Sequence, residues 1–522
     1  VQQAEAAFTL ERPGKAASMA IDAEQFDSAV SAWRRSPTTG HWGDVLSFAV
    51  DPALHPALQA LAEEAAKDGK LFTSGQRALM RGMLGVEALD DRASVRAVGG
   101  EDAGSEIRAL REVLRDTPTS ALTWLDLAQF DLACGKPERA LRKLTAARAL
   151  SPDSRISLRT MARFFVHQGQ EERAHQLVAR HRRTPSDPWL MASEIALAGV
   201  AKRASRFANQ GLRLIKEQGA RPQDLSELAG ALGGLDLESG HLKRARDLFR
   251  IALQRPNDNV VAQTFTDRNR LGIELAGPAQ VQVAGSAAEV QTLIQWEQRD
   301  TVLAEASALK WHREEPFSSR PIQFLTTLYA IQEKYVEGIA FARRGLLADP
   351  RDVSLLTNLA YLMASAGQLD RSEELLRRSI PSRDARYEGV VLATHGLIAM
   401  HRGAFELGDA LYQEAALQLD RHVDMATGAT CRAYHARSAA ATSNPKRTHW
   451  LQVASGAYAH APSAEADIIL TRLGLTSDPL LLDKAMRRTV QWIFDEQTQS
   501  LIKRDAVTPV GAPSLLIKPK AG

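Results

Sequence analysis

The sequence predicts an all-α fold, a solenoid of antiparallel helix pairs, and three observations carry that prediction. A 34-residue period is the first. Trp124, Leu127, Ala128, Gly135, Ala140 and Leu144 are answered one period later by Leu158, Met161, Ala162, Gly169, Ala174 and Val178, and after another period by Ala192, Ala196, Ala208 and Leu212. Second, small residues recur where two helices must approach closely and large ones where a gap must be filled, the pattern of hairpins stacked into one continuous core. Third, aromatics make up only 6% of the chain, and Gly and Pro fall mainly between periodic segments, as suits helices built on Ala and Leu.

Taken in order, residues 1–100 read as a diverged helical region, with Phe26, Val30 and Trp33 spaced along one apolar face and a Gly-containing joint at Arg92–Asp102. The regular array is expected over 101–256, its fourth pair carrying Gly233, Gly240, Ala245, Phe249 and Pro256. Over 257–318 the pattern weakens, and this stretch reads as a degenerate repeat or hinge around the connector Gly277–Gly285. It returns over 319–420, where Ile322, Leu325 and Tyr329 are followed by Leu356, Leu359 and Met363. Residues 421–503 are expected to hold further helices and a polar end cap at Leu480–Lys503, because a stack must finish on a polar face. Residues 504–522 read as a tail.

The segment Trp124–Pro152, with Trp, Leu, a small residue, Gly, Ala, an apolar residue, Ala and Pro in order, resembles the tetratricopeptide repeat (TPR). So does Asn358-Leu359-Ala360-Tyr361 with Gly367-Gln368-Leu369 behind it. Asp131 departs from the pattern where an aromatic is usual, and Gly338, Ser372 and Gly408 replace the small Ala of the second helix. The resemblance implies a right-handed superhelix whose first helices line a concave trough, and a protein or peptide partner bound there, with catalysis supplied elsewhere. Some members clamp acidic chaperone tails with Lys, Asn and Arg on consecutive first helices. Asn358 holds the Asn place here, but Gln323, Thr327, Val390 and Thr394 flank it without a cation, so that clamp is rejected.

Charge supplies the candidate site. Net charge is only +3, yet 50 of the 65 basic residues are Arg, and residues 139–183 hold eleven basic residues against Asp153, Glu171 and Glu172. Arg155, Arg159, Arg163 and His167 recur every fourth residue and so form one stripe along a helix. By the family's geometry the last three point into the trough, flanked by Gln129 and Ser193 from neighbouring repeats. Such a wall suits an acidic peptide held by bidentate Arg–carboxylate pairs; the competing reading is a solvated face balanced by Glu171 and Glu172. Asn358 and Tyr361 are the candidates on the second array. Nucleic acid is the weaker partner, since Phe164 and Phe165 are spaced as core residues, not as stacking platforms.

No Walker loop, GxGxxG after a strand or GxSxG elbow is present, so neither a catalytic site nor a cofactor is expected. His395, His401, His422, His435 and His449 lack ligand spacing, and no metal is expected. Two distant cysteines, Cys134 and Cys431, and the absence of a long apolar run fit a reducing bacterial cytoplasm and no membrane partner. The chain starts on Val, which is compatible with a piece of a longer protein. Two functions follow: a scaffold for a protein partner, or the regulatory or substrate-recognition arm of a bacterial nuclease or effector system.

Overall fold

The computed structural model describes residues 26–37, 39–46, 55–67, 103–217, 222–272, 287–379 and 385–474. The expected joint at Arg92–Asp102, the connector Gly277–Gly285, the end-cap helix at Leu480–Lys503 and the tail lie outside the described residues.

Every regular element among the described residues is helical. Helices α1 (residues 26–35), α2 (Thr39–Leu46) and α3 (His55–Lys67) form a small bundle around Trp33, Trp42, Val45 and Leu58, with Phe26 and Val30 buried beside Trp33 as their spacing requires. α4 (Ala103–Asp116) leads into the first array. Its pairs are α5 (Ala121–Ala133) with α6 (Pro137–Leu150), α7 (Arg155–His167) with α8 (Glu171–Ala179), α9 (Pro188–Val200) with α10 (Ala208–Lys216), and α11 (Pro222–Glu238) with α12 (Leu242–Ala252). α13 (Asp258–Leu271) follows.

The second array begins with α14 (Ala288–Glu297) and α15 (Thr301–Glu314), a regular pair where the sequence pattern had weakened. Then come α16 (Ser319–Gln332) with α17 (Tyr335–Ala348), α18 (Val353–Ser365) with α19 (Leu369–Ser379), α20 (Ala385–His401) with α21 (Phe405–His422), α22 (Met425–Ala441) with α23 (Arg447–His460), and finally α24 (Ala464–Arg472). Each first helix packs on its own second helix and on the next first helix, which is the nearest-neighbour stacking of a solenoid.

The two ends of a pair are built differently. Several first helices start on a side-chain cap: Asp187 Oδ1 accepts from the N–H groups of Trp189 and Leu190, Asp352 from Leu355 and Asp424 from Thr427. Five first helices end in a left-handed glycine, Gly135, Gly169, Gly240, Gly367 or Gly403, which turns the chain back within about one residue of the next helix. Leu158 and Ala192 are fully buried at equivalent heights of their first helices, whereas Trp124, at the outer end of the array, is half-buried and donates from Nε1 to Pro118 O at 2.9 Å.

Nearest-neighbour stacking is not the whole architecture. α5 of the first array packs against α17 of the second, and Phe317 sits in the core of the first array beside Phe164 and Leu158. α24 likewise reaches back to α16. The array coils until distant repeats touch, and those touching surfaces decide what remains open.

Candidate partner-binding site

The stripe on α7 is where the coil closes. Arg155 is buried: its Nε donates to Asp187 Oδ2 at 2.7 Å and its Nη1 to Asp224 Oδ1 at 3.3 Å. Burial works against its charge, but the carboxylates of Asp187 and Asp224 outweigh burial and hold the guanidinium above its ordinary pKa. One turn on, Arg159 pairs with Glu227 at 2.6 Å and lies over the Trp189 ring, 4.5 Å from its centre. Arg163 pairs with Glu315 of the second array at 2.8 Å. At the end of the helix, His167 Nε2 is 3.2 Å from the carbonyl of Ala348, the last residue of α17, and its ring meets Phe317 edge-on. Burial lowers the His167 pKa, so the neutral ring donates to that carbonyl.

The expectation of an open cationic wall is corrected by this geometry, and so is the reading of a face balanced by Glu171 and Glu172. The acids that answer the stripe come from the chain itself, from the next repeat, Asp187, to Glu315, 152 residues beyond Arg163. Glu172 is engaged elsewhere, with Arg203 at 3.1 Å. Of the flanking residues, Ser193 is buried and donates to Trp189 O at 3.0 Å, while Gln129 is half-buried.

Asn358 and Tyr361 are also interior. Asn358 Nδ2 donates to Thr326 Oγ1 at 3.0 Å and to Thr327 Oγ1 at 3.4 Å, and Gln323, expected as a clamp neighbour, donates to Asp352 at 2.7 Å. The Tyr361 hydroxyl accepts from Arg437, whose Nη1 also donates to Ala330 O at 2.9 Å. Arg472 donates to the next carbonyl, Ile331 O, at 2.8 Å. Ala330 and Ile331 belong to the last turn of α16, whose carbonyls have no partner within the helix, so two distant guanidinium groups complete its C-terminus. Arg suits this use better than Lys, because a planar fork can satisfy a carbonyl and a ring hydroxyl at once.

What the sequence reading missed lies on the other side of the array, in the turn between α9 and α10. Ala140, Ala174 and Ala208 keep their 34-residue spacing, but α6 and α8 begin three residues before their Ala whereas α10 begins on Ala208. The first turn of that helix is unwound. The cause is Glu194, a fully buried acid in the otherwise apolar α9. Its Oε2 accepts from Ser205 Oγ at 2.5 Å, and its Oε1 accepts from Arg206 N–H at 3.0 Å and lies 2.9 Å from His175 Nε2. Burial opposes ionisation of Glu194, yet these bonds outweigh it and hold the carboxyl below its usual range. The unwound turn and α8 enclose a cleft of about 240 Å³ lined by Glu172, His175, Gln176, Arg180, Arg203 and Arg206.

Among the described residues no group of His, Cys, Asp or Glu is arranged to hold a metal ion, and no helix is long and apolar enough to cross a membrane. No protein-family model matches the chain. No curated protein matches it either. Among solved structures, the chain is similar to the crystal structure of the P58(IPK) TPR domain at 16% identity, over 74% of this chain and 98% of that one, with a TM-score of 0.23. A likeness that slight adds nothing to the argument, and the fold rests on the chain's own helix pairs: it is an all-α, TPR-like solenoid.

Proposed function

We propose that this chain is a non-catalytic, cytoplasmic scaffold that binds a protein partner mainly through the outer face of its second helices. One observation carries the reading. Seven of the eight residues expected to meet a partner on the inner face are bonded within the chain, while Val302 and Val336, one period apart at the same place in successive second helices, stand 73% and 76% exposed. Leu303, Leu347 and Leu407 add exposed apolar surface on the same class of helix. Solitary apolar residues on a surface need no explanation, but apolar side chains recurring on second helices form a ridge that a partner can cover. On the inner face, Gln129, Arg159, Arg163 and His167 keep partial exposure, and of these Gln129 and His167 are not tied into an ion pair with a carboxylate.

The test is purification of the chain from its native host at low and high salt, followed by cross-linking and mass spectrometry. A stoichiometric protein partner is expected, retained at high salt and cross-linked to Lys310 or Lys334, with retention lost in V302E/V336E. Absence of a protein partner at both salt concentrations overturns the scaffold reading. Cross-links confined to the inner first helices overturn the outer-face assignment.

A further inference from the structure

The cleft between α8 and the unwound turn brings together more cations than carboxylates. Arg180, at the C-terminus of α8, and Arg206, on the turn, are exposed, and among the described residues neither has a carboxylate within ion-pair distance. Arg203 is shared with Glu172, also exposed. The lining therefore carries three guanidinium groups against one carboxylate.

This arrangement is built. A regular first turn of α10 would follow the first and second repeats, where the connecting turns are three residues long. Here Glu194 pulls the Ser205 hydroxyl and the Arg206 N–H inward, and Ser205 Oγ in turn accepts from the N–H groups of Phe207 and Ala208, both at 3.1 Å, so the shortened helix is capped. Lys202 takes a left-handed conformation, with φ of 52°, to start the turn. The anchor is fully buried and the arginines it positions face solvent, the relation of a rigid support to a binding surface.

We propose that this cleft binds an acidic segment of the scaffold's protein partner, with paired Asp or Glu carboxylates seated on Arg180 and Arg206 and competing with Glu172 for Arg203. The proposal rests on the scaffold reading above. Charge complementarity identifies the occupant: the exposed lining carries three guanidinium groups against one carboxylate, and guanidinium forks bind carboxylates in a bidentate, oriented way. No aromatic side chain lines the cleft to stack a nucleobase, which favours an acidic peptide over a single-stranded nucleic acid.

The probe is a fluorescently labelled hexaglutamate peptide titrated with the full chain at low ionic strength and read by anisotropy. Binding is expected to weaken at least about tenfold in R180E/R206E, as charge-assisted bonds are lost. R371E/R421E, which makes the same change of charge at exposed arginines of the second array, should leave it unchanged. E172Q, which frees Arg203, should tighten it by up to about fivefold, an effect that a merely structural role for these residues would not produce. Circular dichroism and thermal melting identify any variant that fails to fold; E172Q and the single variants R180Q and R206Q then carry the test. Hexaglutamate that does not bind, or that is weakened equally by R371E/R421E, overturns the proposal. So does an oligothymidylate that binds more tightly than hexaglutamate and loses affinity in R180E/R206E, which would assign the cleft to nucleic acid. If a native partner co-purifies while hexaglutamate ignores R180E/R206E, this inference fails and the scaffold reading stands; hexaglutamate behaving as expected with no native partner gives the reverse.

Discussion

Arg155 in the first array and Asn358 in the second both lie on first helices, both face neighbouring repeats, and both are buried, but they are satisfied by opposite chemistry. Around Arg155 the contact is ionic, with Asp187 and Asp224 on one guanidinium and Arg159–Glu227 a turn away. At Asn358 itself it is neutral, an amide donating to two threonine hydroxyls; the next bonds run from the Arg437 guanidinium to the Tyr361 hydroxyl and a helix carbonyl, with no carboxylate among them. Buried ion pairs stabilise little in net terms but cost a great deal when half of one is removed; neutral bonds are modest either way. The inner face should therefore be brittle to a single substitution at Arg155 in the first array and tolerant of one at Asn358 in the second.

The largest effect is expected from R155A, which removes the cation that Asp187 and Asp224 share and leaves Arg183, 3.3 Å from Asp187, as the cation beside it. A loss of about 3–5 kcal/mol is predicted. Because a long solenoid need not unfold in one step, the readout should be hydrogen exchange in α9 and α11, whose protection should fall while that of α18 and α20 is unchanged. Equal loss of protection in both arrays would show that they form one cooperative unit.

The second array also carries charged groups in its interior, among them Arg320 with Glu289 and Arg299 with Asp467, and pH should find one of its acids. Glu465, in the first turn of α24, is buried; burial pushes its carboxyl up to about 7, against the opposing pull of the Tyr434 hydroxyl, 2.6 Å away, and of Arg437. A carboxyl raised above its unfolded value near 4.5 contributes stability that is full below that value and is lost as pH rises through 7. The loss is on the order of 3 kcal/mol between pH 4.5 and 8. E465Q, neutral throughout, should remove this dependence, so the difference in melting temperature between E465Q and the parent chain should grow with pH. A constant difference would sink the assignment.

G135A tests the long-range contact between the arrays. Gly135 has a φ of +68°, and a Cβ there would overlap the backbone carbonyl of Leu347, which cannot rotate aside as a side chain could. Strain and overpacking together should cost about 1–3 kcal/mol. The diagnostic is loss of protection in the last turn of α17, more than 200 residues away in sequence; loss confined to the turn after α5 would mean the arrays do not depend on each other there.

How much of this was legible in the sequence depends on the range of the interaction. The period located the helix pairs because each pair is local and its neighbours repeat, and the spacing of Phe26, Val30 and Trp33 was enough to place them on one buried face. The fate of the Arg stripe was not legible. Glu227 lies two periods from Arg159, and Glu315 lies 152 residues from Arg163, so whether they meet depends on the accumulated rotation of the coil, which no local pattern encodes. The cleft had one readable signal that went unused: Glu194 is the only charged residue in α9, and a lone acid on a helix otherwise made to be buried must find donors. Its donors are the residues that unwind the next helix.

N358A should have the smallest effect and gives the most direct check on the neutral inner face. The Thr326 hydroxyl already donates to Gln323 O at 2.8 Å, so losing Asn358 Nδ2 removes only the bonds that Thr326 and, at 3.4 Å, Thr327 accept. Asn358 Oδ1 has no partner among the described residues, and its removal relieves a buried acceptor that the parent chain leaves unsatisfied. The two contributions oppose each other, and a loss of about 1 kcal/mol is expected, measured as protection of α16 and α18. A loss as large as that of R155A would show that Asn358 anchors a network beyond its two threonines and would erase the contrast between the arrays.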